Sequence, residues 1–312
     1  MLFRSLGLGY EAIKAINPRI VYCSLSAYGQ TGPWKDRPGV DGIVQAVSGI
    51  MSVVGPDVEG GATDDPIKVS FPVVDMTGGL MAVQGIMMAL FARERHAGSG
   101  LGQHVDVSLL EGALVIQKSS LTRYLSSRKL PVKTGSRAPY ATPNEAYKTK
   151  DGHIMLAAYT DTRWHALCCN VLQHPELESD PRFKERPTRQ HHHRELKAII
   201  EAVLQTKTSA EWLALCEAND LICAPINDYA ALVEHPQIKA REAITTATFP
   251  DGRTMQTVAP TPKLSATPGR VRSAYPSQIG EHTREILLKV GMSEAEIAKL
   301  EADGVIAVYK PA

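Results

Sequence analysis

The chain has 312 residues, of which 44% are hydrophobic and 21% charged, and its formal net charge is +1. This balance supplies enough apolar surface for two domains or one large one, and it sets intrinsic disorder aside. A near-neutral charge offers nucleic acid no electrostatic footprint.

Taken in chain order, Gly9 to Ile16 reads as a short helix stopped by Asn17-Pro18. Arg19 to Ser24 is a β-rich run that reads as a buried strand. Ala27 to Gly39, rich in Gly and Pro, reads as a loop at the strand's C-terminal end, where open α/β sheets carry ligands. Asp41 to Val53 has helical apolar spacing, and Gly55 to Asp65 is a polar, Gly-rich excursion. Phe71-Pro-Val-Val-Asp-Met-Thr-Gly-Gly79 then leads into an apolar helix with Leu80, Val83, Met87, Leu90 and Phe91 on one face. Arg93, Arg95 and His96 suit its C-terminal dipole, and Gly98 suits its stop. His104 to Leu109 alternates as a strand, and Glu111 to Leu125 reads as a helix. Arg128 to Pro143 is basic and broken by Pro and Gly, as a linker is. Tyr147 to Tyr159 reads as a hairpin turning at Lys150-Asp-Gly152. Asp161 to Leu172, Arg194 to Leu204 and Ser209 to Ala218 read as helices, the last with Ser209 at its capped start. Asp228 to Val233 is a short helix, and Ala247 to Val258 is a second hairpin turning at Pro250-Asp-Gly252. Thr261 to Pro276 reads as extended, and Glu281 to Val290 and Ser293 to Glu301 as closing helices.

No stretch reads as a bilayer span, because the best one, Leu80 to Phe91, is short and ends at Arg93-Glu-Arg95. Met1 to Tyr10 lacks the sustained apolar region of a secretory signal. The five cysteines, Cys23, Cys168, Cys169, Cys216 and Cys223, are odd in number and without CxxC spacing. They fit a reducing cytoplasm, which is the expected location.

Asp75 is the most informative residue. A carboxylate directly ahead of a helix is most often an N-cap. It is also well placed as a nucleophile: the helix N-terminus stabilises the anion, and nearby backbone N–H groups can receive charge developing on an attacked carbonyl. Asp41, in Gly39-Val-Asp-Gly42, reads as a helix cap, and the resemblance drawn below also makes it an acidic position near the active site. His191-His-His193 invites a metal, but three adjacent imidazoles on a helix start diverge, and no companion ligand cluster is spaced for one, so no metal is expected. Cys168-Cys169, beside Trp164 and Leu172, reads as core packing. Gly98-Ser-Gly-Leu-Gly102 runs from helix into strand, the reverse of a phosphate loop, and reads as a tight turn.

Asn17-Pro-Arg-Ile-Val-Tyr22, Phe71 to Gly79 and Gly100-Leu-Gly-Gln-His-Val-Asp-Val-Ser108 together resemble the class III CoA transferases, the formyl-CoA and carnitine-CoA transferase type related to α-methylacyl-CoA racemases. The resemblance runs nearly end to end. It implies an α/β fold: a Rossmann-like large CoA-binding domain over 1–127, a linker at 128–139, a smaller α/β domain over 140–250, and a return to the large domain over 251–312. It implies an interlocked homodimer. It makes Asp75 the catalytic nucleophile and sets Arg37, Pro38, Gly39, Val40 and Asp41 against the CoA thioester. The implied reaction moves CoA from an acyl-CoA donor to a carboxylic acid through a covalent aspartyl intermediate, with acyl-CoA as substrate and no tightly bound cofactor. In the related racemases the position matching Val40 is a proton-moving His, so valine argues for transfer over racemisation. Racemase or epimerase activity, a dehydratase-type role, and a non-catalytic fragment or dimer partner are the alternatives. Relatives carry an N-terminal strand-turn-helix unit and a further α/β stretch ahead of the match to Leu6-Gly-Leu-Gly-Tyr10. Met1-Leu-Phe-Arg-Ser5 stands in their place, and the expectation is that these five residues are not native and the family's first part is absent.

Overall fold

The structure is a computed structural model describing residues 2–58, 65–95, 98–249, 252–271, 274 and 278–309. It divides into two compact units, one ending at Pro225 and the other beginning at Ile226.

The first unit opens with two short helices, α1 (Leu2–Ser5) and α2 (Tyr10–Ile16). Strand β1 (Tyr22–Ser26) starts three residues later than its composition suggests. The Asn17-Pro18 turn persists to Ile20, whose N–H donates to the Asn17 carbonyl at 3.0 Å. The strand is half-buried rather than buried, and Leu25 is exposed. A parallel pairing cannot close through a hairpin. β1 accordingly reaches its partner β2 (His104–Ser108) through a crossover carrying α3 (Asp41–Val47), α4 (Ile50–Val53) and α5 (Val73–Glu94). The helix expected over Asp41 to Val53 is two helices, because Gly49 takes φ +87°, where only a residue without Cβ sits comfortably.

α5 runs 22 residues, beginning seven residues before the apolar run read as the best membrane candidate. Among the described residues it is the one helix long and apolar enough to cross a membrane by length and composition, which corrects the sequence expectation. Core helices of soluble proteins meet the same criterion. Its packed face is also not the expected one. Leu80, Val83, Met87 and Phe91 are exposed, while Val74, Gly78 and Ala89 are buried. The small residues let the helix approach its neighbours closely. A Cβ on Gly78 would lie 2.5 Å from Leu109 Cδ2, and one on Gly85 would lie 2.6 Å from Val105 Cγ1. The helix α6 (Leu109–Ile116) follows β2 directly, its first turn capped by Ser108 Oγ accepting from the Glu111 N–H at 3.0 Å. Gln117 separates it from α7 (Lys118–Ser127). Ala27, Val44, Ile50, Val74, Leu109 and Ala113 form the core under these elements.

After an irregular stretch, β3 (Asn144–Lys148) and β4 (His153–Ala157) form the expected hairpin. The pair gains a third strand, β5 (Ile222–Pro225), antiparallel to β4. Helices α8 (Asp161–His165), α9 (Glu176–Ser179), α10 (Arg186–His191), α11 (His193–Leu204) and α12 (Ser209–Ala218) accompany this sheet, with a π-helical turn at Ala166–Val171 after α8. The cap of α12 is Thr208, in a reciprocal capping box with Glu211, rather than Ser209. Tyr147, Ile154, Leu156, Trp164, Leu196 and Trp212 belong to the core here.

The second unit holds α13 (Tyr229–Glu234), α14 (Pro236–Ala240), the antiparallel pair β6 (Ile244–Thr248) and β7 (Thr254–Val258), α15 (Thr283–Lys289) and α16 (Glu294–Ala302). The turn expected at Pro250-Asp-Gly252 lies largely outside the described residues, as do His96 and parts of 55–65 and 261–276.

Candidate active site around Asp75

Asp75 occupies the first turn of α5, inside the helix rather than ahead of it. Its side chain is exposed. What holds this turn in place is Asp41, the first residue of α3. Asp41 is buried, and its Oδ2 accepts the Val74 N–H at 2.8 Å and the Asp75 N–H at 3.4 Å. The two readings of Asp41 thus meet: it is a cap, but of α5 and not of its own helix, and capping brings it beside the candidate nucleophile. Its other oxygen accepts from Gln45 Nε2, one turn along α3. Gln45 is fully buried and also brackets Val69, donating to its carbonyl at 3.2 Å and accepting its N–H at 2.9 Å. Asp41 and Gln45 therefore fix both the approach to α5 and its N-terminus.

This geometry changes one electrostatic expectation. The Val74 and Asp75 N–H groups already serve Asp41, and the Met76 N–H serves the Pro72 carbonyl at 2.9 Å. They are not free donors for charge developing on a substrate carbonyl. Open space exists one turn further on. A Cβ on Gly79 would meet nothing within 4 Å, in contrast to its neighbour Gly78. Gly79 follows Asp75 at helical i,i+4 spacing, so one lane of the helix surface is clear beside the carboxylate.

The other expected residues lie on the chain leading into α3. Arg37 stacks on Trp34, 4.3 Å from its ring centroid. Arg37 and Pro38 are exposed. Gly39 is needed for close packing, since a Cβ there would fall 2.6 Å from the Ala27 Cβ. Val40 is the residue before α3, extended at φ −130° and exposed. The loop after β1 is pinned separately: the Gly29 N–H donates to Ser26 Oγ at 3.0 Å and the Gln30 N–H to Asp106 Oδ2 at 3.0 Å. Gln45 and Asp106 lie in stretches that carry the resemblance, Gln45 to Gly49 and Gly100 to Ser108, but had no individual role there, and sequence reasoning missed the exposed Lys68, whose Cδ lies 3.9 Å from a Cβ built on Gly42. The bond from Gln45 was findable from its i+4 spacing to Asp41; Lys68 carries no local signal.

Partial burial, and after it the Asp106 charge, push the Cys23 thiol up from its ordinary value. All five cysteines are free, with Cys168 and Cys216 buried as core residues. The three histidines at 191–193 diverge only in part: the His191 and His192 rings meet edge to face at 4.9 Å between centroids, His192 also pairs with Glu195 at 2.8 Å, and His193 bonds the Gln190 carbonyl at 3.1 Å and faces Asp57.

The description of CoA-transferase family III matches residues 2–283. The chain is 36% identical over 303 residues to an acyl-CoA transferase of Fusarium pseudograminearum, covering 96% of this chain and 64% of that protein. It is 33% identical over 285 residues to the succinate–glutarate CoA-transferase of Agrobacterium fabrum, covering 91% and 68%. Among solved structures, a CAIB/BAIF family protein from Brucella suis aligns with a TM-score of 0.76 at 28% identity, covering 92% of this chain and 72% of that one. The chain thus spans about two thirds of the length of the curated relatives it matches, and its mixed α/β fold is that of CAIB/BAIF family structures.

Proposed function

The chain belongs to CoA-transferase family III, and from that premise we propose that the whole protein moves CoA from an acyl-CoA donor to a carboxylic acid, with Asp75 as the covalent nucleophile. The observation that carries this reading is the exposed Asp75 carboxylate on a helix turn held rigid by buried Asp41, with a clear lane over Gly79. A nucleophile needs a fixed backbone and an accessible side chain, and this turn supplies both.

In the proposed sequence, an Asp75 oxygen attacks the donor thioester carbonyl and expels CoA thiolate, leaving a mixed anhydride. The thiolate attacks the Asp75 carbonyl, releasing the donor acid and forming an aspartyl-CoA thioester. The acceptor carboxylate attacks that thioester and expels the thiolate again. The thiolate then takes the acceptor acyl group from the second anhydride and regenerates Asp75. Every intermediate is prone to hydrolysis, so water exclusion over the exposed carboxylate is part of the reading. We assign Arg37, Pro38, Gly39 and Val40 to the CoA thioester side, with buried Asp41 acting behind them through the turn that carries Asp75, and Arg37 with Lys68 supplies positive charge for its phosphates. Val40 has no proton to give or take, which favours transfer over racemisation at the acyl α-carbon. CoA is substrate and handle at once, and the reading needs no resident cofactor. The Rossmann-like large domain, the interlocked homodimer and the cytoplasmic location belong to the same proposal, with the free thiols in support.

The test follows glutaryl-CoA formation from succinyl-CoA and glutarate, the acids named for the Agrobacterium fabrum relative. Asp75→Ala abolishes it, and hydroxylamine added during turnover leaves a hydroxamate on the Asp75 peptide. Transfer surviving in the Ala variant, or a hydroxamate elsewhere, removes Asp75 from the role. Loss of α-proton from a 2-methylacyl-CoA without CoA exchange identifies a racemase instead.

A further inference from the structure

A cluster away from Asp75 in the chain combines three chemically different donors. His165 ends α8, Cys169 lies four residues on in the π-helical turn Ala166–Val171, and Glu178 comes from α9. His165 Nδ1 is 3.1 and 3.0 Å from the two Glu178 oxygens. Cys169 Sγ is 3.6 Å from His165 Nδ1 and 3.6 Å from Glu178 Oε2.

Each donor is adjacent in sequence to a buried anchor. Trp164 precedes His165, Cys168 precedes Cys169 and Leu177 precedes Glu178, and all three anchors are core residues. The two arms are tied through the backbone, where the His174 N–H donates to the Cys168 carbonyl at 2.8 Å. The donors are therefore presented by packed elements and not by loose loops. π-Helical turns recur at functional positions.

We propose that His165, Cys169 and Glu178 form a binding site for a borderline divalent transition metal of the zinc type, with a fourth coordination position open to solvent. Imidazole nitrogen, thiolate and carboxylate are the three ligand types this metal class takes. Bonds of about 2.0–2.3 Å in tetrahedral array put ligand atoms about 3.3–3.6 Å apart. The two sulfur separations already match that spacing, and the nitrogen–oxygen pair need open by only a few tenths of an ångström. The open position follows from exposure: the His165 and Glu178 side chains are 59% and 41% accessible. Three protein ligands and one exchangeable position make a site for a metal carrying water or a small anion, distinct in kind from a closed structural site. The competing account is a His–Glu pair with a protonated thiol donating to Glu178 and no metal.

Titration of the reduced full chain with Co²⁺ in metal-free buffer separates the two. The proposal expects one cobalt bound with a sulfur-to-cobalt charge-transfer band in the near ultraviolet, and visible bands of tetrahedral intensity. Zn²⁺ then abolishes the bands. Cys169→Ser removes the charge-transfer band, and His165→Ala and Glu178→Gln each weaken binding by about tenfold or more. Absence of a thiolate band in the parent chain overturns the proposal. Its persistence in Cys169→Ser does the same, because the metal is then held by another thiol such as Cys23 or Cys223.

Discussion

At the scale of single residues, Asp41 and Asp75 divide the work of one carboxylate pair. Asp75 is exposed and available, while Asp41 is buried and committed to the backbone of the turn that carries Asp75. Asp41→Ala should remove the cap of α5 and lower stability by about 0.5–2 kcal/mol, read as a shift in denaturation midpoint. In an active preparation it should reduce kcat more than KM for acyl-CoA, because Asp41 is argued to act through the position of Asp75. An unchanged midpoint would mean that the contact carries no weight. Asp57 offers a pH test of a second junction. Burial opposes its charge, but hydrogen bonds from Arg194 and Arg137, helped by their charges, outweigh burial and hold the carboxyl below its usual range. Arg194 meets it at 2.6 Å and Arg137 at 3.2 Å. With the folded value depressed below an unfolded value of about 3.9, the unfolded chain takes up the proton first on acidification. The stabilisation is complete above that value and is lost as pH falls through the folded one. The stability gap between the parent chain and Asp57→Asn should thus stay level from neutral pH down to about 5 and shrink below about 4. A gap that widens in acid would reverse the assigned sign.

At the scale of elements, α5 shows what hydrophobic periodicity can and cannot decide. The spacing of Leu80, Val83, Met87 and Phe91 identifies a helix correctly, yet the face that packs is the one carrying Gly78, Gly85 and Ala89. Small residues contribute little to an apolar pattern, but they govern how closely a helix can approach a strand. The contrast is testable with two alanines. At Gly85 the new methyl would press on Val105 Cγ1 at 2.6 Å, and a β-branched side chain has little rotamer freedom to yield. Gly85→Ala should destabilise by about 1–3 kcal/mol. At Gly79 the space is open, and Ala should stabilise by up to about 1 kcal/mol through helix propensity. Thermal midpoints moving in the same direction for both variants would refute this packing. Other elements were legible where a local signal existed: the Lys150-Asp-Gly152 turn of the first hairpin, and the helices read from Asp228 and Ser293, whose side chains prove to cap α13 and α16. β5 was not, because four residues ending in Pro225 become a strand only by pairing with β4 from nearly 70 residues away. The site divides likewise. The Phe71 to Gly79 motif made Asp75 visible, whereas the bond from Asp41 to Val74 joins positions 33 apart and leaves no trace in local pattern.

At the scale of the molecule, the apolar face of α5 is the feature that most demands a partner. Met76, Leu80, Val83, Met87, Met88 and Phe91 are each 59–72% exposed along one helix. Such continuous apolar surface is uncommon on a soluble monomer and favours association. Burying a large aliphatic or aromatic side chain is worth about 1.5–3 kcal/mol, so two such residues fall short of the about 8 kcal/mol of a micromolar dimer, whereas all six, buried on both copies, are of the size needed to offset the association cost as well. A second copy of the chain is the occupant proposed, in keeping with the homodimer proposed above for the whole protein. Light scattering during size exclusion should therefore give a mass above the 33.9 kDa of one chain, rising with concentration. Leu80→Glu with Phe91→Glu should return it toward the monomer mass. These positions point away from the packed Gly78 and Gly85 face, so the fold should survive, and an unchanged far-ultraviolet circular dichroism spectrum would confirm that. A concentration-independent monomer of the parent chain would show that α5 does not pair copies of it. Association unchanged in the double variant would move the contact to another surface.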